Sequence, residues 1–314
     1  MDNEISPQVT PPSLLHRIFV GQQGIRAGWS IGLFIVLMAL ITAALFLPIQ
    51  FIFRKNGIAL TDDQPLPASV GELAGFLGLL GASMIMALIE HKPLVSYGLE
   101  GSRRSVSFLY GALSGFTALS FLVCVLKLSG VLCFDGRAVF DWYALAYAFG
   151  WGLVFLLVGL YEEYLLRGYL QSTMTRGIGF WRSALILSAA FGCLHIFNKG
   201  ESSVGIFTAA LVGLIFCISL WYLKQLWWAI GFHASWDWAQ SYLWGTADSG
   251  KFVQGHFFSV HPQGNIYLSG GATGPEGSVM AIPLLLLIGV FMLLVWKKNR
   301  VQHSGSASAP AASL

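Results

Sequence analysis

The sequence predicts an all-α, polytopic membrane helix bundle with about eight transmembrane helices. Three observations carry that prediction. Of 314 residues, 55% are hydrophobic and 11% charged, against about 25% charged in ordinary soluble domains. Mean hydropathy is +0.67. Apolar runs of roughly 20 residues, the length that crosses a bilayer, recur along most of the chain. So few polar groups cannot cover a soluble surface. The net charge of +3 is too small to be the footprint of a nucleic-acid binder.

The spans expected are about 28–53, 71–90, 106–132, 142–175, 182–198, 203–223, 226–244 and 279–296. The first is too long for a signal-peptide core and lacks a clear cleavage site, so it reads as a retained anchor. Residues 1–27 read as a flexible N-terminus, 28–300 as one transmembrane domain and 301–314 as a flexible tail. Lys224 and Gln225 alone separate the sixth and seventh spans, which implies a tight hairpin. Segment 91–105 is a basic link whose Arg103 and Arg104 suit anionic head groups. Loop 245–278 contains eight glycines and reads as a connector rather than a lid.

Orientation follows from lysine and arginine. With both termini inside, eleven of these residues fall on the cytoplasmic side, among them Arg103, Arg104, Arg176 and Lys297, and five on the outer side: Arg54, Lys55, Arg137, Lys199 and Lys251. Both termini are therefore expected in the cytoplasm. Cys124, Cys133, Cys193 and Cys217 form no CxxC pattern and read as small core hydrophobes.

Five polar residues stand out because they interrupt apolar spans: Glu162, Glu163, His195, His233 and Asp237. An ionisable group within a membrane span is costly and therefore a functional candidate. Glu163 and Arg167 lie at i and i+4, share a helix face and can pair. Glu162 points about 100° away and is left free for proton transfer. Phe191 precedes His195 by one turn on the same face and is placed to wall its ring from lipid. His233 and Asp237, again one turn apart, can act together; Asp237 orients the imidazole, accepts from it, or joins it on a metal.

Depth connects the three segments. At ~1.5 Å rise per residue, Glu162 lies about 20 Å from a helix end near Thr175. On the same rise, His195 lies about 20 Å from Trp181 and His233 about 14 Å from Lys224. Three helices thus bring their polar residues to one level within the bilayer.

EExxxR, then FxxxH, then HxxxD, in that order on successive helices, resembles the CPBP family (ABI, or type II CAAX prenyl endopeptidase-like) of intramembrane proteases. In this chain the motifs read Glu162–Arg167, Phe191–His195 and His233–Asp237, and the resemblance is expected over most of 70–296. It implies peptide-bond hydrolysis in or at the membrane, on a membrane-associated or lipidated protein or peptide. Glu162 and His195 would activate water, and His233 with Asp237 would stabilise the oxyanion. Many members carry Asn at the position of Asp237; Asn donates to an oxyanion, whereas ionised Asp cannot. Asp237 must then be protonated, orient His233 or bind a cation.

Two histidines with carboxylates also make an acceptable zinc set, namely Glu162, His195, His233 and Asp237, although no HExxH helix is present. A bacterial inner-membrane location fits the short loops and the Gly-rich stretch ending GPEGS, which resembles bacterial members. Two rival readings are a proton-coupled membrane carrier and a non-proteolytic membrane scaffold. Against the carrier, the chain has no inverted repeat. Against the scaffold, the water-activating residues are intact.

Overall fold

Apolar helices have nowhere to hide their backbone polar groups but within themselves, and in lipid that rule is strict. The computed structural model describes residue 13 and residues 18–21, 24–136 and 140–306, with no side chains described for 297–306. The long helices are α1 (Ala27–Lys55), α2 (Pro65–Ile89), α3 (Arg104–Leu128), α4 (Trp142–Glu163), α6 (Phe180–Leu194) and α7 (Ser203–Leu223). A short α5 (Gln171–Ile178) continues α4, α8 is Trp227–Trp238 and α9 is Ala281–Ser306. Six spans are long and apolar enough to cross a membrane: α1, α2, α3, α4 with α5, α6 extended to Phe197, and α7. The apolar part of α9, Ala281–Trp296, is shorter. Among the described residues the chain is therefore an all-α polytopic bundle. The seventh expected span is α8, only 12 residues long, extended by a π-helical turn over Ala239–Leu243.

The last helix runs to Ser306, into the segment expected as a tail; the expected tail's remaining residues, 307–314, and most of 1–27 lie outside the described residues. Among the described residues, sheet is confined to two small antiparallel pairs. β1 (Val20–Gly21) pairs with β2 (Gly24–Ile25), and β3 (Leu132–Phe134) with β4 (Val260–Pro262). The cysteines are all free, and the reading of them as core residues holds only for Cys217; Cys124 and Cys193 are exposed because their helix faces point outward.

Glycine positions α8 at the centre. A Cβ added at Gly111 or Gly115 of α3 would lie 2.0 Å from the carbonyl oxygen of Trp228 or 2.2 Å from that of Phe232. Gly231 of α8 meets the Phe108 carbonyl in the same way. Such close backbone contact is how helices gain van der Waals packing in the absence of a hydrophobic drive. The hairpin at Lys224, left-handed at φ 57°, feeds α8 into this slot, and Leu226 donates its N–H to the Gly98 carbonyl. Far from α8's polar residues, the Glu90 carboxylate accepts from Arg176 at 2.7 Å and so ties the end of α2 to α5.

Candidate active site

α8 presents His233 and Asp237 one turn apart on the face turned to α4 and α6. The imidazole Nδ1 lies 2.9 Å from Glu163 Oε1. A carboxylate oxygen accepts, so Nδ1 carries the proton. The opposite edge, Nε2, lies 3.4 Å from Asp237 Oδ2 and 3.7 Å from Glu162 Oε2. Phe216 stacks on the ring at 5.7 Å and Phe191 meets it edge-on at 6.1 Å. The ring is thus held on both nitrogens and walled by two aromatics.

The adjacent glutamates divide as their helical phase predicts. Glu163 is fully buried and pairs with Arg167 at 3.0 Å; both side chains have no exposed surface. The Arg167 guanidinium also sits over Phe191 at 4.6 Å and Phe216 at 5.5 Å, a cation–π box. Glu163 Oε1 therefore bridges Arg167 and His233, so its role is wider than the expected ion pair. Glu162 keeps 32% of its side chain exposed and faces the cavity. Directly after Glu163 the helix widens into a π-helical stretch, Tyr164–Leu170, as α8 does after Trp238. Both helices change pitch immediately past their polar residues, a common feature of functional sites.

His195 caps the C-terminus of α6 and opens a 3-10 turn, His195–Phe197. Its Nδ1 lies 2.8 Å from the Phe191 carbonyl oxygen. A carbonyl cannot donate, so Nδ1 carries the proton and a neutral ring leaves Nε2 as an acceptor. Phe191 meets this ring edge-on at 4.9 Å. Phe191 touches both histidines and Arg167, so it packs the site together as well as walling His195. Among the described residues His195 forms no ion pair with Glu162; the imidazole placed against Glu162 is His233.

Glu162, His195, His233 and Asp237 line one cavity of about 200 Å³. Its walls add residues that the sequence reading passed over. Glu72 of α2 is one; it interrupts an apolar span, the signal that singled out Glu162. Asp62, Asp248, Lys251 and Glu276 are others, set on loops where no periodicity marks them. Loop 245–278 is thus a cavity wall and not a free connector. Gln240 pins it by donating to the Ala247 carbonyl at 2.8 Å, and Asp248 accepts from Ser241 at 3.0 Å. Glu276 accepts from both the N–H and the hydroxyl of Ser249. Desolvation, then the Glu276 charge, push the Asp248 carboxyl up to about 8 despite the Ser241 bond. Desolvation and Glu201 push Glu276 up to about 7, partly offset by Ser249.

No observation supports the expected zinc set. Among the described residues no group of three or more His, Cys, Asp or Glu is arranged to hold a metal ion. The metalloprotease reading therefore has no support in the ligand geometry.

No curated protein and no solved structure matches the chain. Residues 144–239 match the family model described as type II CAAX prenyl endopeptidase Rce1-like. The matched region lies inside the expected 70–296 and contains every residue of the three motifs. Over residues 144–239, about a third of the chain, the protein is therefore similar to the type II CAAX prenyl endopeptidase Rce1-like family.

Proposed function

We propose that the chain is an intramembrane endopeptidase that hydrolyses a peptide bond of a membrane-associated or lipidated protein. One observation carries the reading: Glu162, His195, His233 and Asp237, from three separate helices, face a single cavity of about 200 Å³. Glu162 takes a proton from water and returns it to the leaving amine. His195, with Nδ1 held by Phe191, offers Nε2 to orient that water. As imidazolium, His233 presents an Nε2–H to the developing oxyanion, while Glu163 fixes the ring through Nδ1. Asp237 at 3.4 Å steadies the Nε2 edge, which supports its reading as an orienting residue. The location proposed is an inner membrane with both termini cytoplasmic.

The test is cleavage of a quenched membrane-peptide library by the purified chain in detergent. Glu162→Gln and His195→Ala should each lower the rate by about 10²–10⁴-fold, the range for removing a positioned acid or base, with unchanged elution on size exclusion. Wild-type and variant rates that agree on every peptide would sink the reading. Loss of wild-type cleavage in chelator, restored by zinc, would overturn the ligand-geometry argument above.

A further inference from the structure

Contacts between connecting segments separate the two ends of the bundle. The Lys251–Asp62 pair at 3.1 Å puts the α1–α2 connection beside loop 245–278. β3 pairs with β4 and brings the α3–α4 connection to that loop. The Thr273 hydroxyl donates to the Gly200 carbonyl at 3.1 Å, which adds the α6–α7 connection. The cavity reaches the surface at this end. Asp62, Ala68, Thr208, Asp248 and Lys251 line it, and the Asp62 and Lys251 side chains are more than half exposed.

The other end is closed. It gathers segment 91–103, the α5–α6 junction and the hairpin at Lys224; Arg176 pairs with Glu90 there, and Leu226 donates to the Gly98 carbonyl. Beneath the cavity, Glu163 and Arg167 have no exposed side-chain surface. Tyr97, Tyr164, Tyr169 and Leu226 follow in one buried cluster, and none of the four lines the cavity. The closed end is also the more basic one. Lys92, Arg103, Arg104, Arg176, Arg182 and Lys224 lie there, and α9 runs the same way to the positions of Lys297, Lys298 and Arg300. Among the described residues the open end holds Arg54, Lys55, Lys127, Lys199 and Lys251. Lysine and arginine gather on the cytoplasmic side of a membrane.

We propose that the cavity opens to the extracytoplasmic face, and that its substrate is a membrane-anchored protein whose cleavable segment lies on that side. This rests on the peptidase reading and names the substrate class for the same site. A chain approaching from the cytoplasm would have to part the Glu163–Arg167 pair and the tyrosines beneath it, and a buried ion pair is costly to break. A chain approaching from outside meets only the exposed rim of Asp62 and Lys251. Cytoplasmic proteins are then excluded by the side they occupy, with no need for contacts that read their sequence.

The experiment uses the full chain in right-side-out and inverted membrane vesicles. Cys124→Ser, Cys133→Ser and Cys193→Ser remove the accessible thiols, Cys217 being buried. In that background Lys251→Cys marks the open end and Arg103→Cys the closed one. A membrane-impermeant maleimide should label the Lys251→Cys chain in right-side-out vesicles alone and the Arg103→Cys chain in inverted vesicles alone. Cleavage is read on wild-type vesicles with the quenched peptide that the detergent-solubilised chain cuts best. That peptide is tethered by an acyl chain and carries a sulfonated dye that cannot cross the bilayer. Right-side-out vesicles should cut it, and inverted vesicles should spare it until detergent is added. The reverse pattern in either assay, labelling of both ends from one side, or equal cleavage from both sides overturns the proposal. Cleavage by inverted vesicles alone still leaves the peptidase reading standing. Labelling as expected, with no peptide cut even in detergent, removes the peptidase reading and leaves the open end outside.

Discussion

The floor of the cavity and its mouth are built from the same residue types and behave oppositely. Behind the floor, the Glu163 carboxylate lies within 3.0 Å of both Arg167 and His233, under two aromatic rings. At the mouth, Asp62, Asp248 and Glu276 outnumber Lys251, and the one ion pair is more than half exposed on both sides. Compensated charge holds the helices in place. Where compensation is incomplete, desolvation raises the carboxyls of Asp248 and Glu276 instead.

The contrast breaks first at the floor. Glu163→Leu strands the Arg167 guanidinium without an anion and should cost about 3–5 kcal/mol, as for other half-removed buried pairs. Replacing both Glu163 and Arg167 by leucine should cost less than that single change. Chemical unfolding in detergent ranks the two; a double variant less stable than the single one contradicts the account of the floor. Next in size is the packing that carries α8. Gly115→Leu drives a side chain into the Phe232 carbonyl and should cost about 1–3 kcal/mol, seen as a lower unfolding temperature with cleavage falling in parallel.

The mouth should respond to pH more than to truncation. Asp248 and Glu276 are raised from their ordinary 3.8 and 4.5 to about 8 and 7. The folded chain therefore binds protons more tightly than the unfolded chain. Stability from these two groups is fully present below their ordinary values and declines as pH rises from 3.8 to about 8. Asp248→Asn with Glu276→Gln should flatten that part of the profile; an unchanged slope in the double variant refutes the assignment. The smallest effect is expected at Asp62→Asn. An exposed pair contributes about 0–1 kcal/mol, so the unfolding temperature should barely move.

Much of the floor was legible in the chain. Glu163 with Arg167 and His233 with Asp237 lie four residues apart on helices, so a fixed helical period places each pair on one face. The division between Glu162 and Glu163 followed from the same period. The partner of Glu162 was not legible: helical rise brings His195 and His233 to a similar depth but says nothing about how each helix is rotated. The structure turns His233 toward Glu162 and Glu163, and binds His195 to the end of its own helix. The wall residues were harder still. Asp248 and Glu276 lie in a loop without periodicity, and Asp62 meets Lys251 across a sequence separation that no local rule connects. Glu72 carried the same signal as Glu162 and went unread.

Composition and hydrophobic run length determined by themselves that this protein is a membrane helix bundle, because only continuous apolar helices satisfy their backbone in lipid. The three ordered motifs carried the resemblance to a family and marked the residues to watch. Tertiary structure decided which of those residues touch. It seated α8 on the glycines of α3, joined His233 to Glu163, and turned a glycine-rich loop into an acidic wall. Those outcomes depend on helix rotation and on contacts between distant segments, and neither is written in the spacing of residues along one helix.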